Sequence, residues 1–182
     1  MRNLLLALGL VAAPIMASAT EIELTIAGEA NGTVVIDLLE DLAPGHAARI
    51  TELAADGQYD DVVFHRVIDG FMAQTGDVEN GKLGGNMRLA GRGGSDKPDL
   101  KAEFSDVPFD RGVVGMARSQ SPNSANSQFF IMFDDGHFLN GQYTVVGKVT
   151  SGMDVVDQIK LGTGPNGAVV GAPDRITAVK VR

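Results

Sequence analysis

The sequence predicts a mainly β fold: a closed eight-stranded antiparallel β-barrel capped by two α-helices. Three observations carry this expectation. Eight short stretches combine β-branched residues with period-two alternation. Only two stretches show helical periodicity. Glycine is abundant, 23 in 182 residues, with no three-residue repeat, which excludes collagen and suits a loop-rich β architecture. Closure is favoured because it removes exposed sheet edges; an open sandwich is compatible with the same strands.

Taken in order, the chain begins with a leader pattern over residues 1–19. Arg2 supplies a positive start, Leu4 to Met16 is almost entirely apolar, and Ala17-Ser18-Ala19 is a small-residue cleavage site. The apolar run is too short to span a bilayer. Cleavage would leave Thr20 first, with one domain over 20–182. The expected destination is the periplasm, or secretion if the source is not Gram-negative, with no membrane attachment after cleavage. Strands are expected at 21–27 and 32–39, around the turn-forming Gly28 to Gly32, and at 62–68 and 71–77, around Asp69-Gly70. Others are expected at 112–117, 128–133, 144–149 and 175–181. Pro44 suits a first helical position, Ala47, Ile50, Leu53 and Ala54 recur at helical spacing, and Gly57 can end that helix. A second helix is expected over 153–160. The Gly-rich, charged stretch 79–110 is long for a loop, and loops of that length are usually functional or disordered.

Charge and composition exclude several functions. With 15 basic and 23 acidic residues the formal net charge is −8, which argues against nucleic acid or anionic membrane as the main partner. There is no cysteine, so neither disulfides nor thiol chemistry is available. His46, His65 and His137 match no metal-ligand spacing, and ordinary structural roles are expected, with His46 on a surface helix. Gly162 to Gly167 fits G-x-G-x-x-G but follows a helical stretch and contains Pro165, so it reads as a turn-rich connection. Asp134-Asp135-Gly136 reads as a turn, because a calcium loop's later acidic positions are missing. No metal or cofactor is expected.

Three segments carry chemistry. The first runs from Phe64 through Arg66, Phe71, Met72 and Gln74 to Asp77. Alternation puts Phe64, Arg66 and Ile68 on one face and Met72 with Gln74 across the turn. An Arg, a Gln and a Met converging on one hairpin suit neither a core nor a plain solvent face, although a surface Arg with a snorkelling neighbour is the commoner arrangement. The second contains Met116-Ala117-Arg118-Ser119 and then Asn126-Ser127-Gln128-Phe129-Phe130-Ile131. Here Phe129, Ile131 and Phe133 form an all-apolar face expected in the core. Gln128, Phe130 and Met132 form a mixed face able to line a wet cleft. The third is His137 to Val149, containing Phe138, Leu139 and Tyr143.

In this order and spacing, the three segments resemble the cyclophilin family of peptidyl-prolyl cis–trans isomerases, over nearly the whole chain after the leader. The resemblance implies the eight-stranded barrel with two capping helices, and a hydrophobic groove on its outer wall for a proline-containing segment. It implies catalytic roles for Arg66, Phe71 and Gln74. It implies substrate binding by Met72, Gln128, Phe130, Phe138, Leu139 and Tyr143, with Ala117, Arg118 and Ser119 forming an edge that pairs with substrate backbone. Gly91-Arg92-Gly93-Gly94 resembles the loop beside the family's second, shallower pocket. Phe138 stands where many eukaryotic members have Trp, Tyr143 where they have His and Arg118 where they have Asn. The missing indole donor implies weak inhibition by cyclosporin. The partners implied are proline-containing unfolded or partly folded polypeptides, met by a monomer.

These residue types suit the reaction. The X–Pro bond rotates over a barrier near 20 kcal/mol that is mostly lost amide resonance, so no nucleophile is needed. In the twisted amide the prolyl nitrogen is pyramidal and has a basic lone pair. A fixed donor there bonds the transition state better than the planar ground state. Arg66 is permanently charged. A thousandfold acceleration requires about 4 kcal/mol. The alternative is a non-catalytic proline-peptide binding module or chaperone, for which a donor at the prolyl nitrogen is unnecessary.

Overall fold

In the computed structural model, which describes residues 20–182, the strands follow the expected order; the first and last have the expected bounds, the seventh runs on to Ser151, and the others are shorter. The leader expectation for 1–19 lies outside the described residues. The strands are β1 (Glu21–Ala27), β2 (Gly32–Leu38), β3 (Arg66–Ile68), β4 (Met72–Thr75), β5 (Val113–Met116), β6 (Phe129–Met132), β7 (Val145–Ser151) and β8 (Arg175–Val181). They form one antiparallel sheet in the order β3-β4-β6-β5-β7-β2-β1-β8.

Alternation decides which side chains turn inward. Ile22, Leu24 and Ile26 of β1 meet Val34, Ile36 and Leu38 of β2 in the interior, together with Phe129 and Ile131 of β6. Phe133 joins them, as its alternation predicts. A second apolar cluster lies on the outer wall: Met72, Phe109, Val113, Phe130, Met132, Leu139 and Val145. One strand can serve both clusters because its odd and even residues face opposite sides.

The sheet curls into a half-barrel, and closure is narrower than a full ladder. Its two ends meet through Phe64 N–H donating to the Asp174 carbonyl (2.9 Å) and Ile176 N–H to the Val62 carbonyl (2.8 Å), just upstream of β3. Here the expected strand 62–68 is interrupted: Val62 and Val63 make only isolated bridges, to Lys82 and Arg175, and the ladder of β3 begins at Arg66. Phe64 belongs to the interior cluster rather than to the face of Arg66.

Helix α1 (Pro44–Ala55) packs against β7 and β8 and buries Ala47, Ile50, Leu53 and Ala54. Its N-cap residue is Ala43, which offers no capping side chain. Glu103, from the long connection, caps it instead, accepting from the Gly45 and His46 N–H groups at 3.1 Å each. His46 is buried rather than on the surface, with Nδ1 2.6 Å from Glu103 Oε2. Helix α2 (Met153–Val156) packs on β2 and is shorter than expected. Beyond it the Gln158 and Ile159 N–H groups reach back only three residues, tightening the chain out of α-geometry. No helix among the described residues is long and apolar enough to cross a membrane.

Candidate active site

The β3–β4 hairpin places the central side chains. Its register sets Arg66 opposite Gln74 and Ile68 opposite Met72, and β6 continues the row with Phe130 opposite Gln74 and Met132 opposite Met72. The turn is closed by Gly70 at φ +63°, a conformation that favours glycine. Arg66, Gln74, Met72 and Phe130 thus share the outer wall.

The Arg66 guanidinium is held on several sides. Nη1 donates to Gln74 Oε1 at 3.2 Å and lies 3.9 Å from Met72 Sδ. Nε donates to the Asn166 backbone carbonyl at 3.0 Å, and Nη2 to Asn166 Oδ1 at 3.4 Å. Partial burial draws its pKa down from the usual arginine value, with Tyr143 opposing that shift. The group stays cationic at neutral pH.

A relay of amides extends from this arginine. Gln74 Nε2 donates to Gln128 Oε1 (3.0 Å), and Gln128 Nε2 to the Gly93 carbonyl (2.8 Å). The Gly93 loop is itself anchored. The fully buried Asp77 carboxylate accepts from the N–H groups of Glu79, Asn80, Gly91 and Gly93 at 2.7–3.2 Å. The long stretch 79–110 is therefore tied at Asp77, at Glu103 and at Asn126, whose Oδ1 accepts from Ser95 N–H at 2.8 Å.

Arg66, Phe71, Met72, Gln74, Ala117, Arg118, Phe130, Phe138, Leu139 and Tyr143 line one cavity of about 260 Å³. Its floor is apolar: Met72, Phe130 and Leu139 are at most 7% exposed. Phe109 stacks behind Phe130, with ring centroids 5.7 Å apart. This close fit depends on Gly115, where a Cβ would lie 2.4 Å from Phe130 Cζ and 2.6 Å from Phe109 Cε1. Phe138 is 66% exposed at the rim, its ring 5.4 Å from that of Phe71. The two remaining expected residues, Ser119 and Gln128, line an adjacent cavity of about 480 Å³ with Gly93, Gly94 and Asn126.

The edge at Ala117 to Ser119 is partly occupied from within. Ala117 N–H donates to the Gln128 carbonyl (2.9 Å) and Ser119 N–H to Ser124 Oγ (3.0 Å). Arg118 turns its guanidinium onto the Gln142 carbonyl (3.0–3.1 Å) and over the Tyr143 ring at 4.5 Å.

Asn166 is the site residue that the sequence reading passed over. It lies in the Gly162 to Gly167 connection, at φ +56°. The Pro165-Asn166-Gly167 turn signal was visible in the sequence, but its arrival beside an arginine 100 positions earlier was not. The histidines go to three places: His46 to Glu103, His65 against Gly91, and His137 to Asp110 at 2.7 Å. Among the described residues, Asp110, Asp135 and His137 bring ligand-type atoms within 4.8 Å of one another, all exposed. Asp110 already pairs with His137, and Asp135 accepts from Arg111 N–H.

A rigid cationic donor beside a small apolar cavity can hold a compact ring and place a hydrogen bond next to it. Comparison with known proteins points the same way. The family model described as "Cyclophilin type peptidyl-prolyl cis-trans isomerase/CLD" matches residues 22–181. The "Probable peptidyl-prolyl cis-trans isomerase" of Brucella suis is 62% identical over 148 residues, covering 80% of this chain and 76% of that protein. Peptidyl-prolyl cis-trans isomerase B of Escherichia coli is 38% identical over 147 residues, covering 75% of this chain and 84% of that protein. Among solved structures, the cyclophilin AquaCyp293 of Hirschia baltica aligns with a TM-score of 0.71 at 26% identity, covering 88% of this chain and 73% of that one. A Cryptosporidium parvum cyclophilin solved in the presence of the dipeptide Ala-Pro aligns with a TM-score of 0.74. At 24% identity, covering 89% of this chain and 98% of that one, this last likeness speaks to the fold alone.

Proposed function

The chain belongs to the cyclophilin family and is a peptidyl-prolyl cis–trans isomerase, and from that premise we propose that Arg66 is its catalytic donor and that it serves exported polypeptides. The observation that carries the Arg66 assignment is the arginine's fixed placement. Gln74 and Asn166 hold the guanidinium beside the cavity floored by Met72, Phe130 and Leu139.

A prolyl ring seated on that floor brings its nitrogen to the arginine. As the amide twists, the nitrogen gains a lone pair and becomes a better acceptor, so the Arg66 hydrogen bond strengthens toward the transition state. The apolar floor excludes water and strengthens the same contact. Gln74 keeps the guanidinium in position, and Gln128 keeps Gln74. Phe71 and Phe138 form the outer rim, with Ala117, Arg118 and Ser119 beside it and Tyr143 closing the side. The second cavity, at Gly93 and Gln128, takes residues flanking the proline. The proposal of export, to a periplasm, is supported by the leader pattern of residues 1–19. The protein is proposed to act as a monomer on unfolded or partly folded chains.

The test is turnover of a proline peptide by the mature protein. We expect Arg66→Ala to lower kcat/KM about ten- to a thousandfold, or roughly 1.4–4 kcal/mol, with unchanged circular dichroism. Gln74→Ala should give a smaller loss. If the Arg66→Ala protein turned over like wild type, the chain would act without this donor. A folded wild type no faster than the uncatalysed reaction would favour the binding-module alternative.

A further inference from the structure

Beyond Arg66, on the side away from the proline cavity, lies a cleft of about 560 Å³. Its walls carry Arg66, Arg88 and Arg92, its floor includes His65, and Met87 and Pro165 supply apolar flanks. No carboxylate lines it. This is unusual in a chain with 23 acidic and 15 basic residues. Most of the other basic side chains are already engaged. Lys97, Arg111, Lys160, Arg175, Lys180 and Arg182 pair with carboxylates, while Arg49, Lys82 and Arg118 donate to carbonyls. Among the described residues, neither Arg88 nor Arg92 has an acidic partner.

The backbone that carries Arg88 and Arg92 is also held by local structure. The loop that carries them is pinned by successive turns, with Leu89 N–H donating to the Asn86 carbonyl (2.9 Å) and Arg92 N–H to the Leu89 carbonyl (3.0 Å). Asp77 fixes the residues on either side of Arg92, accepting from Gly91 N–H at 2.7 Å and Gly93 N–H at 3.0 Å. A preformed, locally positive cleft on an otherwise negative surface attracts an anion despite the unfavourable overall field. Guanidinium groups are matched to carboxylates and phosphates, and of the two a polypeptide substrate carries carboxylates.

We propose that this cleft binds an acidic side chain of the substrate polypeptide, an Asp or Glu within three residues of the isomerised proline. The inference rests on the isomerase reading of the proline cavity. The two sites share Arg66 as a common wall. Two extended residues span about 7 Å, so a chain seated at the proline cavity reaches the cleft without leaving the surface. The proposal makes local charge a determinant of which prolines are served. Arg88, which lines only this cleft among the three cavities, is the specificity residue.

The test is a peptide series with Glu, Gln or Lys at each of the three positions on either side of proline. Turnover is read by exchange NMR, so that no coupling protease sees the substituted residue. In about 0.05 M salt, Glu at one of these positions should raise kcat/KM about three- to tenfold over Lys, chiefly through KM. The preference should shrink in roughly 0.5 M salt, where screening is short-ranged. Arg88→Gln should abolish most of it and Arg88→Glu should reverse it, with turnover of the all-neutral peptide kept. Equal rates for Glu and Lys at every position would overturn the proposal, as would a preference unaltered in Arg88→Glu. A wild type inactive on every peptide is a different result, and would remove the isomerase reading on which the proposal stands.

Discussion

His65 lies next to Arg66 in the chain, is 8% exposed, and has no hydrogen-bond partner at either ring nitrogen. Burial pulls its pKa below the ordinary histidine value, against an upward pull from Asp77, and the charge on Arg66 adds to the lowering. The folded protein therefore keeps this ring neutral, whereas the unfolded chain takes up a proton near pH 6.5. Below that point the unfolded state binds more protons and stability falls; above it the stability is fully present. We expect the thermal midpoint of the wild type to drop as pH falls below about 6.5, and His65→Gln to lose part of that drop. Superimposable pH–stability curves would show that His65 is not a source. No group holding Arg66 titrates near neutrality, so kcat/KM should be flat from about pH 7 to 9. At this scale the catalytic candidates were readable, because Arg66, Gln74 and Phe130 sit in dense, distinctive segments. The burial of His65 was not, since it depends on the interruption of the strand ahead of Arg66.

The strands matter to the site through register. Pairing of β3, β4 and β6 aligns Arg66, Gln74 and Phe130 in one row across the wall. On β5, Gly115 faces Phe130 and leaves the room into which that ring settles. Gly115→Ala should drive the ring toward the cavity and raise KM about tenfold, or roughly 1.4 kcal/mol, with kcat less affected. Unchanged KM would mean that the ring can yield sideways. The strand segments were legible from their periodicity, although β3 proved three residues long, because its neighbours leave the ladder to make the seam. Less legible were contacts supplied from far along the chain. Glu103 caps α1 across 58 positions and Asn166 holds Arg66 across 100. No local pattern records such pairings.

As a whole, the molecule is a curled sheet whose two ends are joined by very few bonds. The expected closed barrel is present in outline, and the seam at Val62–Phe64 and Asp174–Ile176 is its thinnest part. Asp174 reinforces the seam with a buried carboxylate that accepts from Ala30 N–H (3.0 Å) and Lys160 N–H (2.6 Å). Asp174→Ala would strand both donors at a cost of about 2–4 kcal/mol. It should also speed hydrogen exchange at the Phe64 and Ile176 amides more than at Leu24. Uniform acceleration across all three would instead indicate global destabilisation. The order of the strands has a bearing on synthesis as well. β1 is bonded on one side to β8, a partner 152 residues downstream, as in the Thr177 hydroxyl reaching the Thr25 carbonyl. At about 5–20 residues per second of translation, that partner arrives roughly 8–30 s later. A newborn chain of this kind lingers unfinished, and for that interval it resembles the incomplete polypeptides on which the finished enzyme is proposed to work.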